Sequence, residues 1–233
     1  REKFYVFLDI DGTLWDMKDL YKRKKVVVEL NPESIQAVYA LMDSLEQKYD
    51  AELVITSRRR TDWCECLRFL QQEGFDIFKY DLHRTHLINW KKPRGVKIAE
   101  YMYNDRIRNF GDEPKLFPRL FEKHMAKKEN QKMKNNFVVV DDDMAPLKDY
   151  ILPENIIQTS REKRSLDMEM VENFLKRKNI DSLRFVFVPA SSFVKSRFPT
   201  LLPDFVRFSL ITVEFAIDST SLSVSVFSKV TSV

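Results

Sequence analysis

The stretch Phe4-Tyr5-Val6-Phe7-Leu8-Asp9-Ile10-Asp11-Gly12-Thr13 sets five apolar residues directly before two aspartates, a glycine and a threonine. An apolar run without polar alternation predicts a strand buried on both faces, as in a parallel sheet. Gly12 permits a tight turn past the strand end, and the Thr13 hydroxyl can brace the loop. Read blandly, the acidic part is Asp-Gly turn punctuation. The strand before it argues for more, because carboxylates two residues apart at a strand end both reach one small site.

Working outward, the same alternation recurs. Asn31-Pro32-Glu33 opens a helix: Asn31 caps it, Pro32 takes the first turn and Glu33 complements the dipole. Ile35, Val38, Met42, Leu45 and Tyr49 follow at helical spacing. Leu53-Val54-Ile55 is a second strand ending at Thr56-Ser57, and a helix is expected over about 61–72 with Gly74 as its stop. Ile77-Phe78 is expected as a weak third strand, 93–103 as a helix, 137–140 and 156–157 as strands. A last helix is expected over 165–178, with Ser165 as cap and Asp167 and Glu169 in its first turn. Strands alternating with helices predict an α/β fold: a parallel sheet with helices on both faces. In such sheets ligands sit at the carboxyl ends of the strands. The polar clusters after Leu8, Ile55 and Val140 fall there.

Composition bounds the reading. The 233 residues are 44% hydrophobic and 32% charged, with a net charge of +4, enough for a sizeable core and a solvated exterior. The mild basic excess permits a phosphorylated partner without requiring nucleic acid. The run 4–8 is too short for a signal-peptide core, and no apolar run is long enough to span a bilayer. Cys64 and Cys66 lack a second ligand pair, so they read as reduced thiols of a cytoplasmic, intracellular protein. Residues 104–136 carry Lys123, Lys127, Lys128, Lys132 and Lys134 and read as a basic, solvated insertion. The catalytic domain is placed at 1–178. Residues 179–233 are expected as a C-terminal extension, either edge strands or a poorly ordered appendage, in which Ser221–Val226 alternates like a strand.

The acidic residues carry the chemistry. Two neighbouring carboxylates repel unless a divalent cation relieves them, and Mg²⁺ favours carboxylate and carbonyl oxygens. One carboxylate can then attack phosphorus while the other handles protons. The run FLDIDGT resembles the first motif of the haloacid-dehalogenase (HAD) superfamily of phosphohydrolases. The resemblance implies a HAD-like Rossmannoid sheet and a phosphoaspartate mechanism. Asp9 would be the nucleophile and Asp11 the general acid and base, with the Asp11 backbone carbonyl also on Mg²⁺. Thr56 would bond a phosphoryl oxygen, with Ser57 as the fallback. The motif lysine would be Lys92 of Lys91-Lys92-Pro93-Arg94, with Lys91 and Lys97 as alternatives. Phe137-Val138-Val139-Val140-Asp141-Asp142-Asp143 resembles the acidic fourth motif. It makes Asp142 the preferred metal ligand with Asp141 beside it, so that Asp9, Asp11, Asp141 and Asp142 are the expected Mg²⁺ residues. Three adjacent aspartates at a strand end exceed what a helix cap uses.

The resemblance covers about residues 4–178, and within the superfamily the stretch from Arg94-Gly95 to Lys178 is similar to the HAD domain of "Swiss Army knife" RNA-repair proteins. No large insertion lies between Asp11 and Thr56 or between Thr56 and Lys92, which argues against a large cap domain. Such a site admits bulky phosphates, and RNA or DNA ends join the candidate substrates. Thr13, Ser57 and Arg58 are expected on the substrate side, in a run Arg58-Arg59-Arg60 of which two members read as surface charge. His83 and His86 could share a metal but have no third ligand, so surface histidines are the simpler reading. Alternatives are phosphoryl transfer, hydrolysis of small phosphometabolites or phosphoproteins, and a vestigial site on a nucleic-acid-binding protein. Haloacid dehalogenation is disfavoured because Asp11 supplies the acid and base that phosphohydrolases use.

Overall fold

β1 (Lys3–Leu8) lies at the centre of a five-stranded sheet ordered β3-β2-β1-β4-β5. Its neighbours are β2 (Asp50–Ile55) and β4 (Phe137–Asp141), and the edges are β3 (Leu82–Arg84) and β5 (Ile156–Gln158). Every pairing is parallel. This computed structural model describes residues 1–17, 28–85, 92–109 and 121–181. All lie in the first of two units into which the chain divides, Arg1–Val186; the second, Phe187–Val233, lies outside the described residues together with the expected strand 221–226.

The unbroken apolar run of β1 is explained by what covers it. Phe4, Val6 and Leu8 face a cluster with Leu53, Ile55, Val138 and Val140. Helices α1 (Pro32–Glu46), α2 (Trp63–Gln72) and α5 (Met168–Arg177) close that face through Leu41, Leu45, Leu70 and Phe174. Tyr5 and Phe7 point the other way, to Val54, Phe137 and Val139. There α3 (Arg94–Asn109) and α4 (Lys123–Lys132) supply Val96, Ala99, Met102 and Ala126. Period-two alternation thus sends successive β1 side chains into two cores, so no polar residue is tolerated between Phe4 and Leu8.

The caps follow local chemistry. The Asn31 side chain accepts from Glu33 N and Pro32 occupies the first turn of α1, as expected. Three expected boundaries differ. Ile77-Phe78 forms no strand: Phe78 is 81% exposed, and the third strand is Leu82–Arg84, which pairs with Leu53–Ile55. Before α2 the chain makes a 3₁₀ turn over Arg58–Thr61, and Asp62 caps the helix by accepting from Glu65 N. Asp167, not Ser165, caps α5; Ser165 is buried, and its hydroxyl accepts from Asn31 Nδ2. The basic stretch contributes the end of α3 and all of α4, whose Lys123, Lys127, Lys128 and Lys132 are exposed, while residues 110–120 lie outside the described residues.

Candidate active site

The chain leaves β1, β2 and β4 at one end of the sheet, and hydrogen bonds tie these exits together. Asp9 N donates to Val140 O at 3.0 Å, Thr56 N to Leu8 O at 2.8 Å, and Thr159 N to Asp141 O at 3.0 Å. Asp9, Thr56 and Asp141 are therefore held by ladder geometry at the strand ends. This is the crevice where parallel α/β sheets bind ligands.

Asp9, Asp141 and Asp142 each place a carboxylate oxygen within 4.8 Å of the others. Among the described residues they are the one group of acidic, histidine or cysteine ligands so arranged. Asp9 is 4% exposed and Asp141 fully buried. Burial pushes the Asp9 carboxyl up to about 7; Arg94 opposes this, and Asp141, Asp142 and Asp11 add to it. Burial raises Asp141 and Asp142 as well. Three desolvated carboxylates with too little positive charge are a donor set that fits a hard divalent cation. Gly12 is part of the fit. Its φ is +84°, and a Cβ there would collide with the Asp142 carboxylate, so only glycine lets the first loop pass beneath the fourth. Asp143 stands apart: it is exposed, and its side chain accepts from Ala145 N at 3.1 Å.

The cation at this cluster is Arg94. Its Nη1 pairs with Asp141 Oδ2, and its Nη2 lies 3.7 Å from Asp9 Oδ1. Although burial works against the guanidinium, Asp9 and Asp141 hold its charge firmly. Gly95 makes this position reachable, since a Cβ there would meet Tyr150 at 2.6 Å; α3 begins close against that ring. Lys92, expected as the motif lysine, pairs instead with Glu100 of α3. Lys91 lies outside the described residues. Lys97, one turn after Arg94, is buried; burial and the charges of Arg60 and Arg94 push it down to about 8. Sequence reasoning misses Arg94 because the motif directs attention to a lysine. The signal that could have found it is its i, i+3 spacing to Lys97, which puts both on one face of a helix.

The hydroxyls divide their work. Thr56 is 1% exposed, and its Oγ1 has no hydrogen-bond partner, a buried polar atom of the kind that a ligand satisfies. Thr13 is fully buried with its Oγ1 3.2 Å from Thr159 Oγ1, so it braces the loop. Ser57 donates to Asp11 Oδ2 at 3.4 Å and accepts from Arg59 N. The Asp11 carboxylate is not one of the three clustered acids; Arg59 Nε and Nη2 grip it at 2.8–3.0 Å. Of the arginine run, Arg58 is exposed, while buried Arg60 serves the scaffold by donating to the carbonyls of Thr56, Ser57 and Thr85. His83 lies 2.8 Å from Asp81 Oδ2, and His86 lies outside the described residues. Cys66 is buried, Cys64 exposed, and neither is in a disulfide.

Fold and site together define an α/β protein with a five-stranded parallel sheet and an acidic cluster able to hold a cation. Two solved structures resemble the chain: the HAD domain of the effector protein Lem4 from Legionella pneumophila, and the same domain described as an inactive mutant. They are 13% and 12% identical to it, cover 76% of this chain and 94% and 93% of their own, and give TM-scores of 0.37 and 0.36. No protein-family model and no curated protein matches. Among the described residues no helix is long and apolar enough to cross a membrane.

Proposed function

We propose that this chain is a Mg²⁺-dependent phosphomonoester hydrolase working through a phosphoaspartate at Asp9. The observation that carries the reading is the convergence of Asp9, Asp141 and Asp142 beside Arg94 and the unpartnered Thr56 hydroxyl. Asp9, Asp141 and Asp142 would hold the ion, with the Asp11 carbonyl as the expected backbone ligand. When bound, it supplies charge neutralisation that lets two anions, carboxylate and phosphate, approach.

The chain's own groups do the rest. An Asp9 carboxylate oxygen attacks phosphorus in line, and the ester P–O bond breaks. The Asp11 carboxyl gives its proton to the departing oxygen. In the second step water adds to phosphorus, its proton passes to Asp11, and the Asp9–phosphorus linkage breaks to release inorganic phosphate. Thr56 Oγ1 donates to a phosphoryl oxygen, and Arg94 and Lys97 offset its charge. Exposed Arg58 and the lysines of α4 favour a phosphate at the end of a nucleic-acid strand, where further phosphates can meet them.

The test is turnover of para-nitrophenyl phosphate. EDTA should silence it, Mg²⁺ restore it, and Asp142→Ala demand at least about tenfold more Mg²⁺, the scale seen when a ligand set is damaged. An activity indifferent to EDTA, or an Asp142→Ala protein that titrates like the parent, contradicts the reading.

A further inference from the structure

Resting on that reading, we propose that Arg59 is the positioning residue of the acid–base carboxyl, fixing the orientation in which Asp11 meets the leaving oxygen. The two Asp11 oxygens are not equivalent. Oδ1 accepts from Arg59 Nε at 2.9 Å, Arg59 Nη2 at 2.8 Å and Trp15 Nε1 at 3.3 Å. Oδ2 meets Arg59 Nε at 3.0 Å and Ser57 Oγ at 3.4 Å. Every one of these groups donates to the carboxylate, so together they fix where both of its oxygens lie.

The fork is itself held from behind. The Arg59 guanidinium carbon lies over the Phe69 ring, 4.1 Å from its centre, a cation–π contact that helps hold it in place. Its backbone N–H donates to Ser57 Oγ, so the arginine and the serine beside Asp11 form one unit at the start of the 3₁₀ turn. Trp15, 4% exposed, anchors the other side. A planar, two-point grip is something guanidinium provides and an ammonium does not. Arg59 therefore differs in task from Arg94, which pairs with Asp9 and Asp141.

Leaving-group chemistry isolates the role. An alkyl phosphate expels an alkoxide that needs the Asp11 proton; 2,4-dinitrophenyl phosphate expels an anion that leaves without one. Arg59→Ala should lower kcat/KM, which reports the step that expels the leaving group, by about 100-fold on the alkyl ester, the lower range of general-acid contributions, and by no more than about 3-fold on the dinitrophenyl ester. Arg59→Lys should show the same selectivity with an unchanged melting temperature, which separates positioning from folding. Millimolar guanidinium should restore part of the alkyl-ester activity of Arg59→Ala and none of that of Arg59→Lys. Equal losses of kcat/KM on both esters would overturn the assignment, since they mark a structural residue or a group that binds the substrate phosphate. A parent protein inert on both esters would overturn the hydrolase reading itself, and the assignment with it.

Discussion

In the proposed mechanism Asp9 is the residue on which the chemistry depends, and its environment is unfavourable to its own charge. Burial first, and then the neighbouring aspartates, raise its carboxyl to about 7, well above the usual carboxylate range. The consequence for stability has a definite sign. In the unfolded chain Asp9 loses its proton near pH 4; in the folded one it keeps it to about 7. Its contribution is thus fully present below pH 4 and is lost as pH rises through 7. A cation bound at Asp9, Asp141 and Asp142 would take over the proton's role. Saturating Mg²⁺ should raise the melting temperature by about 5 °C or more at pH 8 and by less than about 2 °C at pH 5. Paired thermal melts at the two pH values check this; equal shifts, or shifts kept in Asp142→Ala, count against it. At this scale the aspartates are legible because each follows an apolar strand. The partner cation is harder to read: Lys92 fits a Lys-Pro pattern, the spacing of Arg94 and Lys97 puts those two on one helix face, and the packing of α3 is what turns Arg94 inward while Lys92 meets Glu100.

The elements set these distances, and α3 sets the most delicate one. It starts tight against the turn after β4. Gly95 N donates to Pro146 O at 3.1 Å, and Asn130 Nδ2 of α4 donates to Gly95 O at 2.9 Å. Gly95→Ala would push a methyl group into Tyr150. The start of α3 should move and carry Arg94 with it, at a cost of about 1–3 kcal/mol for overpacking and with a fall in kcat/KM. Denaturant unfolding and kinetics on one sample would read both effects; a variant equal to the parent in both would show that the close approach does not position Arg94. Strand content is readable where a run is long and apolar, as in β1 and β4. β3 is not, because Leu82-His83-Arg84 has no such pattern and becomes a strand only through pairing with β2. Propensity favours Ile77-Phe78, and non-local hydrogen bonding places the strand later.

For the whole molecule the question is what reaches the site. Helix α4 packs by Ala126 and Asn130 and leaves Lys127, Lys128 and Lys132 in solvent, with Lys134 just beyond its end. If a nucleic-acid end is the substrate, kcat/KM should fall steeply with salt, while para-nitrophenyl phosphate responds weakly. Replacing those four lysines with glutamine should flatten the log–log slope by about 0.7–0.9 for each phosphate that the protein no longer neutralises, and should leave the small substrate unaffected. Equal salt dependence for both substrates, or no turnover of any RNA or DNA end, removes the nucleic-acid substrate and leaves the hydrolase reading intact. Charge along a helix is visible in the sequence; that this helix packs beside the start of α3 comes only from the fold.

The proposed mechanism requires a transient covalent bond between phosphorus and a carboxylate oxygen of Asp9. Protein mixed with a phosphomonoester and Mg²⁺, quenched in acid within milliseconds and mapped by peptide mass spectrometry, should carry a phosphoryl group on Asp9. The adduct should vanish with EDTA, and Asp9→Asn should show neither adduct nor turnover while melting as a folded protein. A phosphoryl group on another residue, or an Asp9→Asn protein that still hydrolyses the ester, would contradict the account.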